Sequence, residues 1–121
     1  MAELAIIWQN STKSQIDVKE IEQHLLDILR RLKAVGRVEI EISIVTDKEI
    51  KALKQRFFGI NEPTDVLSFP YNGEIKGLTG SIAISLETAV RQAKEAGVDL
   101  IDELKMLASH GLLHLLEYNH R

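Results

Sequence analysis

Near its C-terminal end the chain places three imidazoles at the spacing H-x3-H-x5-H, His110, His114 and His120, the first two inside the apolar run Leu104 to Leu116. On an α-helix, residues four apart share a face with Cβ atoms roughly 5–6 Å apart, so His110 and His114 can offer ring nitrogens to one ion. His120 can join them if the helix stops near Leu116 or Glu117 and the chain folds back. Three imidazoles with one coordination position left open form the donor set of a catalytic zinc. Structural zinc is usually closed by four ligands, often cysteines, and this chain has no cysteine. A run apolar on nearly every side reads as a helix buried in protein. Two buried imidazoles with separate partners each risk about 1–3 kcal/mol if left unsatisfied, whereas one shared cation satisfies both. The expectation is one Zn2+ per chain, held by His110, His114 and His120 on a central buried helix. His24, the fourth histidine, falls among Glu22, Gln23 and Asp27 on the flank of an amphipathic helix and reads as a solvated side chain.

The rest of the chain supplies a scaffold for that helix. Leu4 to Trp8 is a short apolar run ending in polar Gln9-Asn10-Ser11-Thr12, a first strand. Val18, Ile21, Leu25, Ile28, Leu32 and Val35 recur at three- and four-residue steps, a helix for which Gly36 is the expected C-terminal glycine. Val38, Ile40, Ile42 and Ile44 alternate with Glu39, Glu41 and Ser43, a strand with one polar face. Thr46 caps a second helix with an acidic first turn, its inward stripe Ile50, Leu53 and Phe57, broken by Gly59 and Pro63. Val66 to Phe69 and Gly80 to Ser85 are further strands, with a turn over Tyr71 to Glu74 between them. Leu86, Ala89, Val90 and Ala93 mark a third helix ending at Gly97, and Asp99 or Asp102 opens the histidine helix. The order βαβαββαα predicts a single α+β domain over residues 1–121, a small mixed four-stranded sheet with helices packed on it.

Composition narrows the partners. With 45% apolar and 27% charged residues the chain is of globular type. No apolar run reaches membrane-spanning length and no basic region leads into a hydrophobic signal near Met1, so the expectation is a cytoplasmic protein without a membrane partner. The net charge of −3 provides no global attraction to nucleic acid, so any RNA contact depends on a local patch.

Two segments then carry a resemblance. Pro63-Thr64-Asp65-Val66-Leu67-Ser68-Phe69-Pro70 and His110-Gly111-Leu112-Leu113-His114-Leu115-Leu116-Glu117-Tyr118-Asn119-His120 resemble the PTDVLSFP and HGxLHLxGYDH signatures of the YbeY family, single-strand-specific endoribonucleases implicated in ribosomal RNA maturation. Gly80 to Ser85 is similar to the family's GDIxIS strand, and Gln92-Ala93 and Glu103-Leu104 also fall where its pattern expects them. The resemblance implies an α+β sandwich around a mixed sheet, zinc as the metal, and the three histidines as its ligands. It also implies RNA as partner, in ribosomal RNA or the small ribosomal subunit. The chain departs from the pattern at four positions. Phe58 stands where the family has an arginine thought to face substrate, Ser81 and Asn119 replace aspartates, and Glu117 replaces a glycine. A left-handed conformation at Glu117 would strain it by about 1 kcal/mol. The family continues for tens of residues past its third histidine, whereas this chain stops at Arg121.

The chemistry follows from the donor set. A three-histidine zinc brings the pKa of its water to about 7, which supports hydrolysis. The residue after His110 is Gly111, not the glutamate that H-E-x-x-H peptidases use as general base, so a peptidase is disfavoured. Ser109, Asn119 and Thr64 are candidates for supporting the ligands. Lys54 and Arg56, with Lys48 and Lys51, line a helix leading to Phe57-Phe58, a pair able to stack a splayed base. The reading is a zinc-dependent endoribonuclease acting in ribosomal RNA maturation and ribosome quality control. The alternatives are a catalytically impaired zinc protein of the ribosome and a metal-dependent hydrolase of another substrate.

Overall fold

In a computed structural model, residues 2–71 and 79–119 are described, the side chains of 118 and 119 excepted. The elements are β1 (Ala2–Asn10), α1 (Val18–Arg31), β2 (Gly36–Val45), α2 (Asp47–Phe58), β3 (Val66–Pro70), β4 (Gly80–Ser85), α3 (Leu86–Ala96) and α4 (Leu100–Asn119), the expected βαβαββαα order. They form one mixed sheet of order β1-β2-β4-β3, with β1, β2 and β4 parallel and β3 antiparallel at the edge. Part of the anticipated turn between β3 and β4, residues 72–74, lies outside the described residues.

The period-two pattern of β2 divides the sheet into two unlike faces. Val38, Ile40, Ile42 and Ile44 point one way, joined by Ile82 and Ile84 of β4. Against them pack Ile21, Leu25 and Leu29 of α1, Leu86 and Ala89 of α3, and Leu104, Leu107, Leu112 and Leu115 of α4. Burying each of these Leu or Ile side chains is worth about 1.5–3 kcal/mol, so this layer dominates the stability. The opposite face is thinner. Val45, Ala83 and Ile50 are buried there beneath α2, with Leu53, Leu67 and Phe69 partly covered. Phe57, expected in the inward stripe of α2, is instead 57% exposed, because α2 meets the sheet mainly through its N-terminal half.

Helix ends show where local signals held and where they were overridden. Thr46 and Glu49 form a complete capping box at α2, and Gly59 and Gly97 take the left-handed position after α2 and α3. At α1 the helix stops before Gly36. Lys33 adopts φ 54°, Ala34 N–H donates to Leu29 O and Lys33 N–H to Arg30 O, which is the Schellman arrangement. Val35 is consequently 80% exposed rather than part of the helix stripe, and Gly36 opens β2.

A polar network ties α2 to α3. Asp47 accepts hydrogen bonds from the hydroxyls of Ser85 and Thr88, and its other oxygen pairs with Arg91 at 3.0 Å. Burial pushes the Asp47 carboxyl up, but the hydrogen bonds from Ser85, Thr88 and Arg91, aided by the Arg91 charge, outweigh it and hold the group below its ordinary 3.8. A carboxylate lowered on folding stabilises the protein fully above that ordinary value and ceases to do so as pH falls through the lowered one. Asp47→Asn should therefore cost about 1–3 kcal/mol at neutral pH. Urea titrations should show the difference from the parent chain shrinking as pH falls below 4.

Candidate metal and RNA site

The histidine helix is held to the sheet by two close approaches. A Cβ on Gly111 would come within 2.8 Å of Ile82 Cγ2, and one on Gly80 within 2.7 Å of both Leu115 Cδ2 and the Phe69 carbonyl oxygen. Both positions thus have room for hydrogen only, and they bring α4 down onto β4 and β3. The Ser68 hydroxyl then donates to the Gly111 carbonyl at 3.4 Å. The two segments that carry the family resemblance therefore meet in space, the strand motif against the helix motif.

This seating determines where the imidazoles point. Gly111, Leu112 and Leu115 are buried, whereas Met106, His110, Leu113, His114 and Glu117 are exposed. Here the sequence reading needs correction. The helix is central, packed on α1, α3, β3 and β4, but its histidines lie on its open face rather than in a buried interior. They are available to an ion from solvent, and the requirement for a shared buried partner no longer applies. The expected break near Leu116 or Glu117 is also absent. α4 runs on to Asn119, and Glu117 is helical, with no positive φ and hence no left-handed strain. A glutamate continues a helix readily where the family's glycine would leave it. His120 lies outside the described residues. Among the described residues no three metal-capable side chains cluster; His110 and His114 stand four residues apart on the exposed face of α4.

The neighbouring motif residues have identifiable tasks. Asp65 Oδ1 accepts from the Val66 N–H at 2.8 Å and Oδ2 from Gln92 Nε2 at 3.4 Å, while its carbonyl accepts from the Ser85 N–H. This carboxylate ties the start of β3 to α3. Ser109 is buried and donates to the Met106 carbonyl at 2.7 Å, so it belongs to the helix rather than to a ligand. Thr64 donates to Asp65 at 3.5 Å. Ser81 faces the thin side of the sheet and accepts from the Tyr71 hydroxyl. Lys54 is half-buried and Arg56 exposed, its guanidinium 5.4 Å from the Phe57 ring centre. Neither forms an ion pair with a described carboxylate. The reading from sequence did not foresee the aromatic cluster. Phe69 packs edge-on against Phe57 at 5.2 Å and stacked with Phe58 at 5.9 Å. The advance signal was two adjacent phenylalanines at a helix end, both of which meet Phe69.

A mixed four-stranded α+β sheet, with a helix carrying an exposed histidine pair bonded through Gly111 to its edge strand β3, defines the class of small domain. Comparison with known proteins makes the family specific. The model of the family described as endoribonuclease YbeY matches residues 6–121, and the chain belongs to that family. Among curated proteins named endoribonuclease YbeY, that of Syntrophus aciditrophicus is 38% identical over 97% of this chain and 76% of its own length. That of Aquifex aeolicus is 44% identical over 74% of this chain and 62% of its own, and that of Gloeobacter violaceus 43% over 76% and 52%. The chain thus spans between about half and three quarters of these relatives. The solution structure of a Thermotoga maritima protein superposes with a TM-score of 0.65 at 29% identity, covering 91% of this chain and 71% of that one.

The Gly111 contact generates a test of how the site is seated. Alanine gains about 1 kcal/mol of helix propensity, but overpacking against Ile82 costs about 1–3 kcal/mol. Gly111→Ala should therefore lose stability by about 1 kcal/mol despite its better propensity, measured by urea unfolding. A stabilised variant would show that α4 lies further from β4.

Proposed function

We propose that this chain is a metal-dependent endoribonuclease cutting single-stranded RNA in the cytoplasm, in ribosomal RNA maturation and ribosome quality control. The observation that carries the reading is the exposed His110–His114 pair at the seam where the strand and helix motifs meet, in a chain of the YbeY family. The donor chemistry fits a borderline cation such as zinc. His110 and His114 would supply two imidazole nitrogens and His120 the third, and the bound ion contributes Lewis acidity toward a phosphodiester. Ser68, through its bond to the Gly111 carbonyl, holds the first histidine's turn against β3. Arg56 is exposed and Lys54 half-buried, neither with a described acidic partner, and their cationic ends would meet phosphate oxygens. Among the described residues no helix is long and apolar enough to cross a membrane.

The test joins metal content to cleavage. The chain should carry about one zinc, retained at neutral pH and released on acidification, because protonated imidazoles do not ligate. It should cut ribosomal RNA precursor within single-stranded segments. His114→Ala should lose both the metal and the cleavage. Since His114 is exposed, its removal should leave the unfolding midpoint of the metal-free chain nearly unchanged. Cleavage that persists undiminished in His114→Ala would refute the metal-site reading.

Phe58, exposed where the family has an arginine, favours a second reading, a ribosome-associated zinc protein without nuclease activity. Zinc binding with no cleavage, in the parent chain and in Phe58→Arg alike, would select it.

A further inference from the structure

On the side of the sheet away from α4 lies a slot of about 280 Å3 that the metal site does not use. Phe57 and Leu53 of α2, Phe69 of β3 and Tyr71 form its apolar wall, and Glu41, Ser43 and Ser81 form a polar floor. It is near the lower limit of small-molecule sites, which run from roughly 300 Å3 and combine apolar walls with a few placed polar groups. Its aromatic side is well supplied, since Phe57 and Phe58 flank Phe69, and both outer rings are more than half exposed. A soluble domain rarely leaves such a patch open without a partner.

Charge selects the occupant. Arg56 lies against Phe57, and Lys54 and Lys51 follow on the same helix. A cation therefore stands at the aromatic rim, while among the described residues the charge lining the slot is the Glu41 carboxylate, which accepts from Gln9 at 3.3 Å. A phosphate fits the rim and is repelled from the floor. A flat ring with hydrogen-bond donors on its edge fits the slot. The two requirements together describe a nucleotide entering base first. We infer that this slot takes one unpaired nucleobase of single-stranded RNA, packed against Phe57, Phe69 and Tyr71, with its donor edge toward Glu41 and its phosphate toward Arg56. Adenine, cytosine and guanine present amino donors, whereas uracil opposes the carboxylate with carbonyl oxygens on either side of its single N–H. The slot thus favours amino-bearing bases over uracil. Because β3 is the edge strand, a chain of RNA held here can pass over that edge toward the histidine face.

The inference rests on the RNA reading above, and its test keeps the two separable. Labelled 2′-O-methyl hexanucleotides of adenine, cytosine and uracil, checked for integrity by gel, are titrated into the full chain and followed by anisotropy. The adenine and cytosine oligomers should bind several-fold more tightly than the uracil one. Phe57→Ala should weaken adenine binding roughly five- to a hundredfold, the range for losing one stacked base. Glu41→Gln should remove the discrimination against uracil while retaining affinity. Phe57 is exposed, so its truncation opens no core, and circular dichroism confirms the fold. Equal affinity for the three oligomers, or Phe57→Ala binding as the parent chain does, overturns the slot. If the parent chain still cleaves RNA and His114→Ala does not, that result removes the slot alone and leaves the nuclease reading intact. Absence of cleavage together with the expected oligomer pattern would do the reverse. A dimer in sedimentation that Phe57→Ala dissolves would identify the patch as a contact between copies and would also overturn the proposal.

Discussion

Everything at the candidate site depends on how closely α4 can lie on the sheet. At Gly111 and Gly80 a single added carbon would strike Ile82 and the Phe69 carbonyl, and interiors packed to crystal density transmit such displacements rather than absorb them. Because the helix touches down at Gly111, Leu112 and Leu115, the residues on its far side have no choice but to face out, and these include both His110 and His114. These close approaches therefore set the depth of the helix and the exposure of the imidazoles.

The same sheet presents two environments of opposite character. One face is sealed by α1, α3 and α4 over an aliphatic layer of Ile and Leu. The other carries Glu41, Ser43 and Ser81 beside aromatic rings and is covered by α2 for only part of its length. The asymmetry follows from the alternation in β2, where every second residue is Glu or Ser from Glu39 to Ser43. A strand of that pattern sacrifices burial on one side, and a domain of this size is stable because the remaining face is covered by three helices. The open side is thus free to be used.

Polar side chains serve chiefly to position the elements around these faces. Asp47 joins the start of α2 to Ser85, Thr88 and Arg91, and Asp65 joins β3 to Gln92. Asp47 sits where β2 gives way to α2, a place where backbone donors lack intrahelical partners, and Asp65 stands just before β3. Ser109, a candidate for supporting the ligands, is bonded instead to the Met106 carbonyl of its own helix.

The sequence by itself determined the element order, the mixed α+β class, the aliphatic face of β2, the capping of α2 by Thr46 and the four-residue spacing of His110 and His114. These depend on periodicity and on interactions within one turn, which neighbouring residues specify. Only the tertiary structure decided that the histidine face is open, that α4 continues past Glu117, that Lys33 rather than Gly36 turns the chain after α1, and that Phe57 joins an exposed aromatic cluster. Each of these depends on what packs against a residue from far along the chain: a helix apolar on most sides can still have one side uncovered, and only the position of the sheet says which.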